Sequence, residues 1–553
     1  MGKKMNVNFK LVAIFPKRFR YLPIQMSLLL FTISAMICLL ASVVFLLNPQ
    51  PSYSLPNSLQ QILPAYLQTN HHGWGLGLET ACRGASNCPD QNREWNILYH
   101  LGGNGPWVEK VDGVVKGGIR VPDDCEIDMA HMMSRHGERF PTKNAGARMI
   151  VLLKKIRSSG VELKGSLAFL NDWQYFTDSP EKHFEQLTTT GPYSGTLEAF
   201  TTGVKLRTRY RHLWEKVLHN HTLFWASECD RVIDTARYFG AGFFGLENRH
   251  TELQIISEDE SKAGDTLTPG DTCKTYVEDP ELGHDYGYEM LYKYRATYLP
   301  AIAQRLEKEN PGLQFSDSEI YSMQEMCGFE ITVLGNSKWC NVFTRQEWSQ
   351  FEYARDVIHY YRAGPGNKYA KAMGWLWLNT TANLIAEGPE SAGPLYFSFV
   401  HDGDIVPMLA AFGIFEDTQD LPVDEMMEDR KWKTSQITPM GGRIIFERLS
   451  CTAKNKSAEK EIFVRFNVND GIVPLEGCAG GPGESCPLNG FLEHVKRRGE
   501  IAGDFRTVCG LAHDAPDRPT FLRQPSPDST MAAAAEGSEV KGDKPKKSRF
   551  WGI

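Results

Sequence analysis

Residues 135–141 place a histidine between two arginines, in the order Arg-His-Gly-Glu-Arg-Phe-Pro. Arginine stays charged at any relevant pH and binds phosphate oxygens through its planar fork of N–H groups. Two guanidinium charges also lower the pKa of a neighbouring histidine, so that His136 keeps an unprotonated nitrogen in mildly acidic solution. Gly137 allows close backbone approach to a ligand. These residue types predict a phosphate cradle of Arg135 and Arg139 around a nucleophilic His136.

Transfer of a phosphoryl group to His136 also needs a group that gives a proton to the leaving oxygen. Asp402, which follows His401, is suited to this role. It can afterwards take a proton from the water that cleaves the phosphohistidine. The scheme requires no metal ion and no cofactor, because phosphoryl transfer depends mostly on positioning and electrostatic stabilisation.

Three segments with a strand–turn–helix pattern can bring these groups together. Apolar stretches at 126–133, 222–227 and 395–400 predict strands. The first precedes the arginine motif and a helix predicted at 145–156, the second precedes Arg231, and the third precedes the His-Asp pair. Because the carboxyl ends of parallel strands meet at one edge of an α/β sheet, we expect all three to contribute to one site.

Other polar residues near these segments have weaker cases. Packing on the first strand explains His131 better than catalysis does. Glu138 has no assignable role, and Asp404 either assists Asp402 or caps the following helix. The alternative to a phosphate contact for Arg231 is an ordinary ion pair with a neighbouring aspartate.

The N-terminal segment has the pattern of a membrane anchor. Residues 1–26 carry six Lys and Arg and no acid, and residues 27–47 carry no charge. A helix of this length spans a bilayer core of about 30 Å, and the basic flank is expected to stay cytosolic. The bulk of the chain is then extracellular or lumenal. A long cleaved signal, which would release a secreted protein, is the alternative.

Cysteine content agrees with an oxidising compartment. Of twelve cysteines, Cys38 lies in the apolar segment, which leaves an odd number outside it. One should therefore be free, and Cys229 is the candidate. No histidines accompany the others at zinc-binding spacing, so no metal site is predicted. Three pairs are close enough to form short disulfide loops: Cys82/Cys88, Cys327/Cys340 and Cys478/Cys486. Sequons at Asn220, Asn379 and Asn455 are glycosylation candidates.

The motif and several further stretches resemble the histidine acid phosphatases, in the branch of fungal acid phosphatases and phytases. The matching stretches are 101–106, 203–210, 234–239, 364–367 and 469–475. The resemblance covers roughly residues 95–510. One departure is the segment Ser-Glu-Cys-Asp before Arg231, where family members commonly carry Ser-Gly.

The resemblance implies an α/β fold, a three-layer α/β/α sandwich, with a smaller helical domain and the active site between the two parts. The composition of residues 245–372 predicts a mainly helical subdomain there. It implies an acidic optimum without a metal, with His136 as nucleophile and Asp402 as proton donor. It also implies disulfides Cys125–Cys451 and Cys478–Cys486. The residues expected to hold phosphate are Arg135, Arg139, Arg231 and His401.

The expected domain organisation follows from these segments. The ranges are a cytosolic basic tail (1–26), a transmembrane signal anchor (27–47), a stem (48–94), the catalytic domain (95–513) and a disordered tail (514–553). The expected partners are a small phosphorylated substrate and, through the one N-terminal helix, a membrane. A net charge of −7 without a basic stripe argues against nucleic acid.

Three functions remain open from the sequence. The first is a broad-specificity acid phosphomonoesterase, and the second is a 3-phytase-type hydrolase of inositol hexakisphosphate, whose pocket should carry further Lys and Arg. The third is an inactive membrane-anchored binding protein. The presence of both His136 and Asp402 argues against the third.

Overall fold

The structure is a computed structural model that describes residues 95–452 and 460–525. Within these ranges, no helix is both long enough and apolar enough to cross a bilayer. The anchor expected at 27–47 lies outside the described residues, as do the basic tail and the whole of the stem.

The three apolar stretches of the sequence fold as strands. They are buried along nearly their whole length, as expected of strands that are covered on both faces. The described strands are β1 (Cys125–Arg135), β2 (Thr222–Ser227), β3 (Thr251–Ile256), β4 (Leu395–Val400), β5 (Arg443–Thr452), β6 (Lys460–Val468), β7 (Gly471–Val473) and β8 (Cys486–Pro487).

Among the described residues, these strands form one mixed sheet in the order β3-β2-β4-β1-β5-β6-β7, with β8 beside β6. The four strands from β3 to β1 are parallel, and the remaining pairings are antiparallel. The parallel half therefore directs the carboxyl ends of β1, β2 and β4 to the same edge.

Helices occupy most of the connections between strands. The longer described helices are α1 (Lys143–Ser158), α2 (Gly195–Arg209), α3 (Arg211–Val217), α4 (Asp230–Phe243), α5 (Tyr286–Glu309), α6 (Asp317–Leu334), α7 (Arg345–Arg362), α8 (Ala370–Glu387), α9 (Asp402–Phe412) and α10 (Leu488–Ala502). Short helices of four or five residues are Pro180–His183, Pro269–Thr272, Lys274–Glu278, Pro389–Ala392, Thr434–Ile437 and Phe505–Val508.

Alternate residues of β4 face two separate hydrophobic cores. Phe397 and Phe399 belong to a core with residues of α2, α3 and α4. Tyr396 and Val400 belong to a second core, which includes residues of α8, α9 and α10. Because side chains alternate across a strand, this partition places the sheet between two helical layers.

The stretch 245–372, expected to be mainly helical, begins with a strand instead. Residues 252–255 alternate polar and apolar side chains within β3, which pairs in parallel with β2 at the sheet edge. Alternation with a period of two favours a half-exposed strand over a helix. The longer helices of this stretch, α5, α6 and α7, begin thirty residues after β3 ends.

The catalytic domain continues beyond its expected end at residue 513. Leu522 is buried, and the side-chain amide of Gln524 donates to the carbonyl oxygens of Leu223 (2.9 Å) and Leu395 (2.8 Å). Residues 514–525 thus satisfy backbone groups at the start of β2 and β4, which is why they are ordered. The rest of the expected tail, 526–553, lies outside the described residues.

The described residues contain four disulfides: Cys125–Cys451, Cys273–Cys509, Cys327–Cys340 and Cys478–Cys486. The first joins paired residues of β1 and β5. Two of the four are the pairs that the family resemblance implies. Among the described cysteines, Cys229 is free. The Cys82/Cys88 pair lies outside the described residues.

A fully buried carboxylate, Glu447 on β5, ties the antiparallel half of the sheet to α2. Arg209 Nε donates to its Oε1 (2.7 Å) and Arg465 Nη2 donates to its Oε2 (2.7 Å), while the Tyr210 hydroxyl donates to Oε1 (2.6 Å). Burial alone would raise the pKa of Glu447, but the two guanidinium charges and the hydrogen bonds lower it to about 2. Arg209 and Tyr210 belong to the family-like stretch 203–210, so that stretch has a structural role here.

We expect Glu447→Gln to lower the free energy of unfolding by about 3–5 kcal/mol at neutral pH, because two buried guanidinium groups lose their counter-charge. The pKa of Glu447 is depressed on folding. Its stabilisation is therefore complete above about pH 4.5 and is lost as the pH falls towards about 2. Urea unfolding at neutral and acidic pH measures this, with the exposed Glu461→Gln on β6 as control. An equal difference at both pH values would contradict the assignment.

Candidate active site

The carboxyl ends of β1 and β4 bring the two motifs that contain His136 and Asp402 side by side. Arg135, the last residue of β1, lies in register with Val400, the last residue of β4. The backbone N–H of His136 donates to the carbonyl oxygen of Val400 (3.0 Å). His401 and Asp402 follow at once, so the parallel pairing alone places both motifs at one edge.

His136 is buried and held in one orientation. Its Nδ1 lies 2.9 Å from the carbonyl oxygen of Gly137. A carbonyl only accepts, so Nδ1 carries the hydrogen and Nε2 keeps its lone pair. Burial, followed by the charges of Arg135, Arg231 and Arg139, holds the pKa of His136 well below its usual value. The ring is therefore neutral in acidic solution, which is the state that a nucleophile requires.

Arg135 is fixed by the backbone on one side only. Its Nη1 donates to the carbonyl oxygens of Gly103 (2.8 Å) and Thr438 (2.7 Å). Its Nη2 lies 3.1 Å from Asp402 Oδ2. Both hydrogens of Nη1 are thus used by the protein, and the remaining donors face the site.

Three guanidinium groups around His136 present donors that the protein does not use. The Nε–H groups of Arg135, Arg139 and Arg231 are buried and have no acceptor among the described residues. Buried donors are normally paired, and an anion with several oxygens would pair them here. Burial and the charges of its two neighbours lower the pKa of Arg139 to about 9. The cluster is therefore charged, self-repelling and suited to an anion.

Arg231 contacts the histidine of the second motif. Its Nη2 lies 3.3 Å from His401 Nδ1, and His401 Nε2 lies 3.3 Å from Glu258 Oε1. The rings of His401 and His136 are 5.7 Å apart and nearly perpendicular. The structure therefore brings Arg231, in the first turn of α4, to the other two motifs rather than into an ion pair with a neighbouring aspartate.

Asp402 begins α9 and faces several positive charges. Burial would raise its pKa, but Arg135, His359 and Arg362 together hold the pKa well below its usual value. His359 Nε2 lies 3.8 Å from Asp402 Oδ2. Without a ligand, Asp402 is therefore an ionised partner of Arg135. An anion that binds Arg135 competes for that partner and favours the protonated form of Asp402.

The backbone of the motif is held by neighbouring elements. The N–H of Gly137 donates to the hydroxyl of Thr235 on α4 (2.9 Å). A Cβ at Gly137 would lie 2.8 Å from the carbonyl oxygen of Gly195, so no larger residue fits there. The Glu138 carboxylate accepts a hydrogen bond from the backbone N–H of Trp107 (2.9 Å), which connects the motif to the segment that precedes β1.

The two residues with open alternatives have structural contacts. Asp404 accepts the backbone N–H of His401 (2.9 Å) in a capping box at the start of α9. His131 stacks on Tyr396 at 4.3 Å, and burial lowers its pKa to about 3. These contacts match the capping and packing interpretations.

Four further residues belong to the site and were not singled out from the sequence. Glu258 follows the edge strand β3, and Arg355, His359 and Arg362 lie on α7. The last three occur at i, i+4 and i+7, the spacing of one helix face. That spacing was a usable signal, although nothing in the sequence places α7 against the end of β4.

A family model described as the histidine phosphatase superfamily, branch 2, matches residues 126–469. The chain belongs to this family. The match begins at β1 and ends just after β6, so it includes both motifs and the strands that position them.

Similar proteins within the histidine phosphatase superfamily are named acid phosphatases or phytases. The chain is 35% identical over 432 residues to acid phosphatase PHO1 of Komagataella pastoris, covering 76% of this chain and 88% of that protein. It is 34% identical over 437 residues to phytase PHO112 of Candida albicans, covering 78% and 90%. Among solved structures, the phytase from D. castellii matches with a TM-score of 0.70 and 30% identity, covering 77% and 90%.

Proposed function

We propose that this histidine phosphatase is an acid phosphomonoesterase that works through a phosphohistidine at His136. The observation that carries the proposal is a neutral, oriented histidine surrounded by three unpaired guanidinium Nε–H groups. Such a site binds a phosphoryl group and presents a lone pair to its phosphorus atom. Relatives named acid phosphatase and phytase support the same chemistry.

The reaction follows in two displacements. His136 Nε2 attacks phosphorus while the bond to the ester oxygen breaks, and protonated Asp402 gives its proton to that oxygen. Asp402, now ionised, takes a proton from water as the water oxygen attacks phosphorus and the P–N bond breaks. Arg135, Arg139 and Arg231 hold the phosphoryl oxygens in both steps, so no residue has to rearrange between them.

A phytate-hydrolysing activity is the second candidate, because positive charge extends beyond the cradle. The charge of Arg362 acts on Asp402, and Arg355 Nη2 lies 3.3 Å from His359 Nε2. The Nε–H groups of Arg355 and Arg362 are buried without an acceptor in the part of the chain that the structure describes. These two guanidinium groups are more than one phosphate needs and suit a neighbouring phosphate on the same substrate.

We expect Arg362→Gln to lower kcat/KM for phytate about tenfold and for p-nitrophenyl phosphate no more than about twofold, because only phytate reaches it with a second phosphate. Steady-state rates on both substrates measure this. Arg497→Gln on α10 is the control for the loss of one exposed positive charge. Equal losses on both substrates would assign Arg362 to the phosphomonoester site alone and favour the broad phosphatase.

We further propose that residues 27–47 anchor the enzyme and that the catalytic domain lies outside the cytosol. Four disulfides support an oxidising compartment. The Asn220 sequon is exposed after α3, the Asn379 sequon is half-buried on α8, and Asn455 lies outside the described residues. Endoglycosidase treatment and alkaline extraction of membranes test glycosylation and anchoring. A full-length chain that endoglycosidase leaves unchanged and that alkaline extraction releases from membranes would contradict this proposal.

A further inference from the structure

Glu138 lies inside the phosphate-binding motif, between His136 and Arg139, and is only 1% exposed. Its Oε1 accepts the backbone N–H of Trp107 (2.9 Å). Its Oε2 is buried and has no hydrogen-bond partner among the described residues. A buried carboxylate normally has a cation or several donors, because the charge is costly to remove from water. One backbone donor is less than an ionised Glu138 needs.

A second acid is packed against the motif by the first turn of α2. A Cβ at Gly195 would lie 2.1 Å from the carbonyl oxygen of Glu138, so the two backbones are in close contact. Glu198 follows less than one turn later in α2. Burial, followed by the charge of Glu198, raises the pKa of Glu138 well above its usual value.

Glu198 has the better environment for a negative charge. Its Oε1 lies 3.3 Å from Arg443 Nη1 and accepts the hydroxyl of Thr202 (2.6 Å). Its side chain is also 18% exposed. Burial raises the pKa of Glu198, but the charge of Arg443 and the hydrogen bond from Thr202 oppose that effect. Glu198 therefore ionises first, and Glu138 keeps its proton.

The cations around the two acids already have partners. Lys205 on α2 forms an ion pair with Asp470, and Arg443 Nη2 on β5 lies 3.5 Å from Asp470 Oδ2. The charge of Arg135 favours an ionised Glu138. However, both hydrogens of Arg135 Nη1 are donated to backbone carbonyls, and its other donors face the phosphate site. An ionised Glu138 would thus be an excess negative charge in this cluster.

We propose that Glu138 is a positioning residue that works as a neutral carboxylic acid, holding the motif to Trp107 while leaving the positive charge of Arg135 for the phosphate. Glu198 is the neighbour that keeps Glu138 neutral. An ionised Glu138 would compete with the substrate for Arg135, because these two buried groups act on each other electrostatically. This effect on binding rests on the proposed phosphate site, whereas the proton on Glu138 does not.

The proton on Glu138 can be tested by urea unfolding of the full-length wild type and of Glu138→Gln. Glutamine has the shape of the neutral acid, keeps an acceptor for Trp107 and cannot ionise. Because the pKa of Glu138 is raised on folding, its contribution to stability is complete below about pH 4.5 and is lost as the pH rises. The unfolding equilibrium constant of the wild type, divided by that of Glu138→Gln, should rise at least about tenfold from pH 4.5 to 6.5. The exposed Glu500→Gln on α10 is the control and should show no such rise.

The effect on anion binding can be tested with sulfate, which does not titrate in mild acid. Glu198→Gln removes the charge that keeps Glu138 neutral. Calorimetric titration at pH 6.5 should give a Kd for sulfate at least about threefold higher in this variant, although the loss of a negative charge alone would lower it. Adding Glu138→Gln should return the Kd to the wild-type value or below. Structural damage caused by Glu198→Gln would not be reversed in this way.

The outcomes separate this inference from the proposed function. An unfolding ratio that stays constant with pH, or moves in the opposite direction, would overturn the neutral state of Glu138. Unchanged sulfate binding in Glu198→Gln, or no recovery in Glu198→Gln/Glu138→Gln, would overturn the effect on Arg135. Absence of sulfate binding by the wild type and by every variant would instead contradict the proposed phosphate site.

Discussion

Replacing His136 with alanine is expected to lower kcat for p-nitrophenyl phosphate by at least about 10,000-fold, because the covalent route is lost. The arginine cradle remains in this variant. The substrate should therefore still bind, with KM changed only a few-fold. Initial rates and inhibition by sulfate measure the two effects separately. Such a split between rate and binding is the mark of a nucleophile rather than of a binding residue.

His131→Phe is the matched control for this substitution. His131 lies on β1, five residues before His136, is equally buried and makes ring contacts that phenylalanine can reproduce. We expect its activity to remain within about twofold of the wild type and its stability to change by no more than about 1.5 kcal/mol. Retention of activity by His136→Ala would remove His136 from the mechanism.

The second large effect is expected for Asp402→Asn, which removes the proton donor. We expect kcat/KM to fall by about 100- to 10,000-fold for an alkyl phosphate, whose leaving oxygen needs a proton. For p-nitrophenyl phosphate, whose phenolate leaves without one, kcat/KM should fall much less. Because the same residue activates water in the second step, kcat should fall for both substrates. Parallel kinetics on the two esters measure this difference.

The pH dependence of the same variant provides an independent check. Asp402 is ionised in the free enzyme, because Arg135 and its neighbours outweigh burial and hold its pKa low. The proton must then arrive with the substrate. Wild-type kcat/KM should fall as the pH rises through the second ionisation of the phosphate ester, at about pH 6, and this dependence should weaken in Asp402→Asn.

Asp404→Asn is the control for Asp402→Asn, since Asp404 caps α9 and burial beside other acids raises its pKa well above the usual value. Any loss of kcat/KM in Asp404→Asn should be the same for the alkyl phosphate and for p-nitrophenyl phosphate. An equal loss for both esters in Asp402→Asn would contradict its role as the acid.

The sequence predicted the parts of the site that follow from local order along the chain. A strand followed directly by a polar motif delivers that motif to a sheet edge, so β1 with His136 and β4 with Asp402 could be paired in advance. Hydrophobic patterning also predicted β2, whose carboxyl end precedes Arg231. These predictions depend on neighbours in sequence, where periodicity is informative.

The remaining site residues depend on contacts between distant segments. Glu258 reaches His401 only because β3 pairs with β2 at the edge of the sheet, and β3 was expected to be part of a helical stretch. His359 lies 3.8 Å from Asp402 across 43 positions of sequence, in a helix whose orientation no local pattern specifies. The end of the domain was missed for the same reason, since Gln524 is ordered by backbone groups of β2 and β4.

The most direct measurement is to trap the phosphoenzyme. Asp402→Asn should accept a phosphoryl group from p-nitrophenyl phosphate and release it slowly, since p-nitrophenolate leaves without acid help and water then lacks its base. An alkaline quench and peptide mapping locate the phosphoryl group. We predict a phosphohistidine at Nε2 of His136, because Nδ1 is bound to the Gly137 carbonyl. No phosphoprotein, or a phosphoryl group on any other residue, would contradict the account.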